Sequence, residues 1–245
     1  MIYDAAGGCS ILAQSARVPT GAAAGMIVGV IVVIIAIAVI ATYATRKARR
    51  ELLEKLRQVG LTIIEKPDLA MQTEAYALMR MKLTKAERGV KMIARGIVRD
   101  RDTTLIEHMH MVSTGKSAHA VYWTFAVIAC PEHWPVIVLS EEHLGDKIMK
   151  LFGKDRSDVQ TESRAFDDRW RIECPDHNFG LLVLSPEVQA WANSLPRSTR
   201  VSIGGGQINI ACRSQLTAKT VDSFVDAPST LADLLPPELE AFGTA

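Results

Sequence analysis

The sequence lacks the residue patterns that mark the common enzyme classes. No GxSxG, HExxH or GxGxxG motif occurs in it, and these mark serine hydrolases, zinc proteases and dinucleotide-binding enzymes. Charge of one sign is also missing, because 28 lysines and arginines nearly balance 27 aspartates and glutamates. A net charge of +1 gives no electrostatic case for nucleic acid. We therefore predict no catalytic residue and no nucleic-acid partner, and the enzyme class stays open.

Cysteine is scarce as well. The 245 residues contain only Cys9, Cys130, Cys174 and Cys212, which is too few for a fold held by a disulfide framework. A chain of this length is long enough for one domain of ordinary size with additional segments. The domain must therefore be stabilised by an apolar core.

One long stretch has no charge at all. Between Arg17 and Arg46 there is no charged residue, and the central run MIVGVIVVIIAIAVIA is almost entirely aliphatic. A helix of about 20 apolar residues crosses the hydrocarbon layer of a membrane. We predict a transmembrane helix over residues 22–44, preceded by a short extracytoplasmic segment, 1–21. A cleaved signal peptide is disfavoured, because its apolar stretch is only about 7–15 residues and follows a positive start.

A basic cluster follows the apolar run and predicts its orientation. Arg46, Lys47, Arg49 and Arg50 lie just after the run, whereas Arg17 is the one basic residue before it. Basic residues beside a membrane helix stay on the cytoplasmic side. We predict a single-pass protein of the cell membrane with its N-terminus outside and its C-terminal domain in the cytoplasm. The four basic residues are predicted to lie at the membrane surface, with the lipid bilayer as partner.

Three glycines lie four residues apart at the start of the apolar run. Gly21, Gly25 and Gly29 repeat the small-residue spacing that lets two membrane helices approach closely. The spacing is compatible with a homo-oligomer that forms through the transmembrane helix. The alternative is that glycine is simply common near the ends of membrane helices.

The rest of the chain has the pattern of a mixed domain. We expect a basic juxtamembrane helix at 45–60, a linker at 61–89, an α+β domain at 90–235 and a C-terminal tail at 236–245. Strands are predicted at VKMIARGIV, TTLIEHMHMV, AVYWTFAVIAC, VIVLS, RAFDDRWRIEC and LLVLS, and TRVSI and QINIAC form a hairpin around Gly204–Gly206. Helices are predicted at EEHLGDKIMKLFG, capped by Ser140, at PEVQAWANSL, capped by Ser185, and before Pro236. This order predicts an α+β fold with largely antiparallel strands.

Two stretches of the domain resemble each other. IACPEHWPVIVLSEE and IECPDHNFGLLVLSPE each combine a strand, a Cys-Pro-acidic-His turn, a second strand and a capped helix. The likeness favours two β-β-α pseudo-repeats, and chance similarity between hairpins is the alternative.

The turns of these two stretches supply a candidate metal site. Cys130 with His133 and Cys174 with His177 form two CxxH pairs, and two cysteines with two histidines are a common ligand set for zinc. The alternative is that the prolines shape the turns, while the cysteines are small buried residues and the histidines are solvated. No cofactor is required by the sequence, and zinc is the one that it suggests.

Other motifs with a chemical appearance have simpler explanations. STGKS (113–117) resembles a phosphate-binding loop, but it lacks the preceding glycine and an aromatic strand follows it. It predicts a hairpin turn. His108 and His110 fall on one face of a strand without an evident third ligand. Asp167 and Asp168 point to opposite faces if they lie on a strand, which is unsuitable for an acid–base pair.

The predicted membrane helix and basic segment are followed by three distinctive segments within residues 90–195. They read RGIVRDRDTTLIEHMHMVSTGKSAHAVYWTFAVIA, LGDKI and TESRAFDDRWRIECPDHNFGLLVLSPEVQAWA. The layout resembles uncharacterised bacterial single-pass membrane proteins with a cytoplasmic domain of unknown function. The resemblance implies a bacterial membrane protein and supplies no activity. We therefore expect a membrane-anchored cytoplasmic interaction domain with an unidentified protein partner. A metal- or ligand-responsive sensor with the CPxH zinc site is the alternative, and a membrane enzyme is the third.

Overall fold

The computed structural model describes residues 20–80, 89–113, 115, 117–141 and 161–243, with backbone only for 20–30. The described chain divides into two units between residues 47 and 48. Helices are α1 (Thr20–Gln58), α2 (Leu69–Leu78), α3 (Arg164–Asp167), α4 (His177–Val183), α5 (Pro186–Ser194), α6 (Val221–Leu234) and a 3-10 turn (Pro237–Ala241). Strands are β1 (Thr62–Glu65), β2 (Val90–Val98), β3 (Arg101–Ser113), β4 (Ala118–Ala129), β5 (Ile137–Glu141), β6 (Trp170–Glu173), β7 (Thr199–Gly204) and β8 (Gln207–Cys212).

The strands form one antiparallel sheet. Among the described residues it has eight strands in the order β1-β2-β3-β4-β8-β7-β5-β6, and every neighbouring pair is antiparallel. The β7–β8 hairpin separates β4 from β5, which are consecutive strands of the sequence. The prediction of an α+β fold with antiparallel pairing is confirmed.

One face of the sheet is covered by two helices that are far apart in the sequence. Leu52 and Leu56 of α1 are buried in the same cluster as Val221 and Val225 of α6. They pack on inward-facing residues of three neighbouring strands: Met92, Ala94, Leu105 and Ala126. Residues 48–58 of α1 are therefore part of the sheet domain. Burial of each such aliphatic side chain contributes about 1.5–3 kcal/mol.

The same apolar layer continues under the second half of the sheet. There α4, α5 and α6 pack on strands β5 to β8. Trp170, Phe166 and Phe179 are among the largest fully buried side chains of this cluster. β5 and β8 are buried along their full length.

The opposite face is covered by α2. Ala75 and Tyr76 of this helix pack on Ile93, Ile106 and Phe125 of β2, β3 and β4. The helix begins after Pro67, and the carboxylate of Asp68 accepts a hydrogen bond of 2.8 Å from the backbone N–H of Met71. This is the usual N-cap of a helix.

The described part of the segment expected as a linker, residues 61–80, forms part of the sheet domain. Residues 62–65 pair with β2 as an edge strand, and the following helix α2 is buried against the sheet. The single Pro67 ends the edge strand and precedes the helix cap, so its position is compatible with both elements. The tail expected at 236–245 also packs on the core, because Leu239 is buried and Phe242 contacts the buried cluster.

The two Cys-Pro stretches do not fold alike. VIVLS lies in β5, which pairs with β6 and β7, whereas LLVLS lies at the end of helix α4 and in its cap. Asp176 accepts a hydrogen bond of 3.0 Å from the backbone N–H of Phe179 and starts that helix. RAFDDRWRIEC likewise begins with helix α3, capped by Ser163, before β6. The strand predictions for LLVLS and for the start of RAFDDRWRIEC are wrong for these reasons.

Several local predictions agree with the structure. Ser185 caps α5 through the backbone N–H of Val188, and Pro186 takes its first position. The β7–β8 hairpin turns at Gly204–Gly206, all three with positive φ. Ser140, by contrast, lies inside β5, so it does not cap a helix. The helix predicted over the following residues falls mostly at 142–153, outside the described residues.

Candidate functional site

Arg49 forms the most extensive charged contact at the start of the sheet domain. Its Nη1 donates to Oε2 of Glu107 at 2.7 Å, and its Nη2 and Nε donate to Oε1 of Glu65 at 3.0 and 3.2 Å. The Glu107 side chain is 2% exposed. We call these three residues the Arg49 clasp. A buried carboxylate needs such a partner, because an unpaired charge away from water is costly.

Strand pairing brings the two carboxylates of the clasp together. Glu65 lies opposite Met92, and Met92 lies opposite Glu107, so all three share one row across β1, β2 and β3. Burial acts to lower the pKa of Arg49, but the hydrogen bonds and charges of Glu107 and Glu65 raise it overall. The clasp therefore fixes residue 49 of α1 on the sheet.

The clasp gives one residue of the predicted membrane-surface cluster a different set of contacts. Arg49 binds Glu65 and Glu107, while Arg46, Lys47 and Arg50 are exposed. Sequence reasoning missed this clasp, although one signal was present. Glu107 comes two residues after Leu105 and therefore shares its inward strand face. An acidic residue in that position requires a cation nearby.

The glycines of the predicted association face lie on α1. Gly21, Gly25 and Gly29 are within its helical backbone, so the spacing of four places them on one side of the helix.

His108 of β3 is a buried core histidine. Its Nε2 lies 3.0 Å from the hydroxyl of Tyr76, and that hydroxyl also accepts a hydrogen bond from the backbone N–H of Gly89 at 3.3 Å. The ring centroids of His108 and His110 are 5.7 Å apart, which agrees with the prediction that they share one strand face. The contact holds α2 on the sheet.

The four residues predicted as zinc ligands differ in burial. Within the described part of the chain, no group of three or more His, Cys, Asp or Glu side chains could hold a metal ion. Cys174 is buried and its Sγ donates to the backbone carbonyl of Asp176 at 2.9 Å. His133 and His177 are exposed, in a turn and at the first position of α4.

The two cysteine thiols are held in their neutral form. Burial raises the pKa of the Cys130 thiol and that of the Cys174 thiol. A thiolate is the form that binds zinc or acts as a nucleophile. Neither cysteine is therefore activated in this environment.

The end of α2 is tied to the β7–β8 hairpin by polar contacts. Arg80 donates to the hydroxyl of Ser202 at 3.0 Å and to the carbonyls of Gly204 and Gly205. The side-chain amides of Gln207 and Asn209 donate to the carbonyl of Leu78 at 2.7 and 2.9 Å. These bonds satisfy backbone acceptors at the helix end, so their role is structural.

A polar cleft lies beside this helix end. Its volume is about 330 Å³, and it is bounded by α2, β2, β3, β4 and the β7–β8 turn. Glu74, Arg95, Asp102 and Gln207 are among its lining residues, and the Arg95 guanidinium lies 2.8 Å from the Glu74 carboxylate. The cleft has room for a small polar molecule.

The remaining chemical motifs have structural positions. Ser113 ends β3 and pairs with Ala118 at the start of β4, so the STGKS motif is the hairpin connection that was predicted. Asp167 ends helix α3 and accepts hydrogen bonds from the backbone N–H and the hydroxyl of Thr161. Asp168 follows as the C-cap residue. The two aspartates therefore serve local structure.

Comparison with known proteins finds a likeness in fold. No family model matches the chain, and no curated protein matches it. A solved structure, the "crystal structure of the mycobacterial trehalose monomycolate transport factor A, TtfA", superposes with a TM-score of 0.50 and 11% sequence identity. The match covers 77% of this chain and 96% of that chain. At this identity the likeness is one of fold.

Proposed function

We propose that the protein is a membrane-anchored interaction module, in which α1 is the anchor and the sheet domain binds a protein partner at the cytoplasmic surface. The exposed apolar helix carries the proposal. Its side chains from Ile31 to Ile40 are all exposed in the described chain, for example Ile34 at 59%. The helix is long and apolar enough to cross a membrane. Lipid is the solvent that suits such a surface.

The basic residues after the apolar run support the cytoplasmic orientation. Placing an arginine at the bilayer centre costs about 2.5–3.5 kcal/mol on insertion scales, so a cluster of four opposes translocation. A cysteine at the exposed position Gln215 should resist a membrane-impermeant thiol reagent in intact cells and react after lysis. Cys9 and Cys130 are first replaced by serine, and Ser10→Cys is the matched outer position. Labelling of position 215 in intact cells would reverse the orientation.

The interaction role rests on what the described residues do chemically. The clasp, the α2 contacts and the buried thiols all have structural partners. The test is capture of the full chain from membranes solubilised in mild detergent, followed by reciprocal capture with each recovered protein as bait. A partner found in both directions supports the module. No reciprocal partner, together with turnover of a small-molecule library, would favour an enzyme.

Association through the glycine face is a separate part of the proposal. Gly25 is the central glycine of the three, and a bulky residue there would keep two helices apart. Gly25→Leu should lower cross-linked dimer yield in membranes, whereas Ala24→Leu, one residue away, should leave it unchanged. Equal yields for the two variants would remove the glycine face from the proposal.

A narrower candidate within the same class is a lipid transport factor. The fold likeness over 96% of the trehalose monomycolate transport factor favours it. In a host that makes this glycolipid, depletion of the protein should slow transport of labelled trehalose monomycolate. Unchanged transport would contradict the assignment as a lipid transport factor, while the broader proposal of an interaction module would stand.

A metal-responsive sensor is the alternative that the sequence suggested. It would need the four CxxH residues to converge, and among the described residues no group of three or more His, Cys, Asp or Glu side chains could hold a metal ion. A ligand-responsive form would use the polar cleft of about 330 Å³, and the partner-capture experiment distinguishes it, since capture would then depend on an added small molecule.

A further inference from the structure

The polar cleft beside α2 has its floor on the sheet. Glu74 and Leu78 of the helix line one side, and strand residues that include Arg95 and Asp102 line the rest. Its volume of about 330 Å³ is at the lower end of the roughly 300–1,000 Å³ that small-molecule sites occupy. The cleft therefore has room for one small molecule or for one long side chain of another protein.

The charges that line the cleft do not balance. Arg95 Nη2 lies 2.8 Å from Glu74 Oε1, so these two charges compensate each other. Asp102 is exposed and forms no ion pair with any described residue. The described lining therefore retains one negative charge, that of the Asp102 carboxylate.

The two arginines beside Asp102 in the β2–β3 hairpin are paired elsewhere. The Nη2 atoms of Arg99 and Arg101 lie 2.8 and 2.7 Å from the carboxylate of Asp233 on α6. This helix packs on the sheet face opposite to the one that α2 covers, whereas Asp102 lines the cleft beside α2. Neither arginine therefore neutralises Asp102.

Gln207 adds a buried acceptor to the same lining. It is 9% exposed, and its amide nitrogen donates to the carbonyl of Leu78 at 2.7 Å. The amide oxygen Oε1 remains as an acceptor, and no described residue donates to it. Because a buried polar atom without a partner is unfavourable, an N–H donor bound in the cleft would stabilise this side chain.

Strand pairing sets the spacing of these two acceptors. Ala129 of β4 pairs with Gln207. Asp102 precedes Thr103, which pairs with Ile128 of the same strand. Asp102 and Gln207 are therefore two strands apart, roughly 10 Å at about 4.8 Å per strand. The small, exposed Ala129 between them leaves space above the sheet for a cation with several N–H groups.

We propose that the cleft binds an organic monocation whose ammonium or guanidinium group pairs with Asp102 and donates to Gln207 Oε1, while its alkyl chain packs along Leu78. A free amine and a lysine or arginine side chain of another protein both carry such a group. The inference goes beyond the proposed interaction role and does not depend on it. If the source is a side chain, the cleft belongs to the surface that binds the protein partner.

The experiment is a nuclear magnetic resonance titration of the isotope-labelled full chain in mild detergent at constant ionic strength. The probes are n-butylguanidinium, n-butylammonium and n-butylurea, which is the neutral isostere of the first. The amide signals of Gly96 and Gly206 report binding, because both residues line the cleft. Gly180 of α4 is the reference outside the described lining.

Two matched variants test the role of the unpaired carboxylate. Asp102→Asn removes the charge at an exposed position, so the fold should be retained. The control is Asp100→Asn, at an exposed position of the β2–β3 turn that is not among the described lining. Its φ of 60° is a backbone conformation that asparagine adopts readily.

We expect both cations to shift the signals of Gly96 and Gly206 with dissociation constants in roughly the millimolar range, and n-butylurea to bind at least about threefold more weakly. Asp102→Asn should weaken binding of the cations by about threefold or more, whereas Asp100→Asn should leave it unchanged. Equal binding of the urea, equal binding by the two variants, or no shift with any probe would overturn the inference. Each of these results would leave the interaction role to be decided by partner capture.

A blocked tripeptide with a central arginine separates the two sources of the cation. If it binds as tightly as n-butylguanidinium, a protein side chain fits the cleft. If it binds at least about threefold more weakly while the free cations bind, the cleft is a site for a free amine. Both results support cation recognition, and the same Asp102→Asn and Asp100→Asn pair applies to each.

Discussion

Arg49 and Glu107 lie 58 positions apart in the sequence, yet the guanidinium Nη1 is 2.7 Å from the carboxylate Oε2. Glu107 is on the inward face of β3, and Arg49 is on the helix that covers this face. The pair fixes the first residues of the sheet domain onto the centre of its fold. If this helix end moves relative to the sheet, the ion pair must either break or move with it.

Removal of Arg49 should destabilise the sheet domain. Arg49→Ala leaves the buried Glu107 carboxylate without its guanidinium, and we expect a loss of about 2–4 kcal/mol, less than for a fully buried pair because Arg49 is partly exposed. Urea unfolding of the full chain in detergent, followed by tryptophan fluorescence, measures the loss. Arg50→Ala, at the exposed neighbour, should change stability by less than about 0.5 kcal/mol. Equal effects at both positions would show that the clasp is energetically neutral.

Gly96 should tolerate no side chain. An added Cβ would lie 2.4 Å from the carbonyl oxygen of Gly60, so Gly96→Ala must push the end of α1 away from β2, at a cost of about 1–3 kcal/mol. Gly115→Ala is the control, because a Cβ there meets nothing within 4 Å and only its positive φ opposes the change. We expect about 1 kcal/mol at that position. A smaller loss at Gly96 than at Gly115 would contradict the close approach.

The C-terminal 3-10 turn should contribute to stability. Leu239 is fully buried, and its carbonyl accepts a hydrogen bond of 2.8 Å from the indole N–H of Trp134. Leu239→Ala should cost about 2–5 kcal/mol, whereas Leu181→Ala on the exposed side of α4 should cost less than about 1 kcal/mol. Chemical denaturation of the two variants provides the comparison. If Leu239→Ala leaves the free energy of unfolding unchanged, residues 236–245 do not contribute to stability and the prediction of a tail stands.

Metal removal should leave the domain unchanged. The full chain, purified without a chelator, is expected to hold less than about one-tenth of an equivalent of zinc, since structural zinc is bound tightly. Its thermal midpoint should be the same before and after treatment with a chelator. One equivalent of zinc, lost together with stability on chelation, would restore the CPxH site.

The buried thiols predict a loss of stability in the alkaline range. Burial raises the folded-state pKa of Cys130 and of Cys174, so the folded state holds these protons above the pH at which the unfolded chain releases them. Their contribution is complete below the unfolded pKa of about 8.5 and declines as pH rises through the folded value. Cys174→Ala should flatten the decline in unfolding free energy above this pH. An identical slope in the variant and the wild type would contradict the shift.

Local signals of the sequence predicted the elements that depend on near neighbours. The Ser185-Pro186 pair specifies the start of α5 through one side-chain cap, and three glycines specify the β7–β8 turn. Each of these depends on residues within a few positions, so no tertiary information is needed.

Local likeness misled where two similar stretches have different neighbours. VIVLS became a strand because β6 and β7 flank it, while LLVLS became the end of a helix because the Asp176 side chain caps the start of that helix. The CPxH pairs were similarly ambiguous, since a metal site requires convergence in space and spacing along the chain does not provide it.

By itself, the sequence determined the long apolar helix, the antiparallel α+β class and the local caps and turns, because length, periodicity and capping act over a few residues. Only the tertiary structure decided that residues 62–78 belong to the sheet domain, that Arg49 pairs with Glu107, and that the β7–β8 hairpin lies between β4 and β5. These relationships depend on strand order, which joins residues tens of positions apart. The free energy of such contacts comes from burial and charge pairing in the assembled sheet, which a linear pattern does not record.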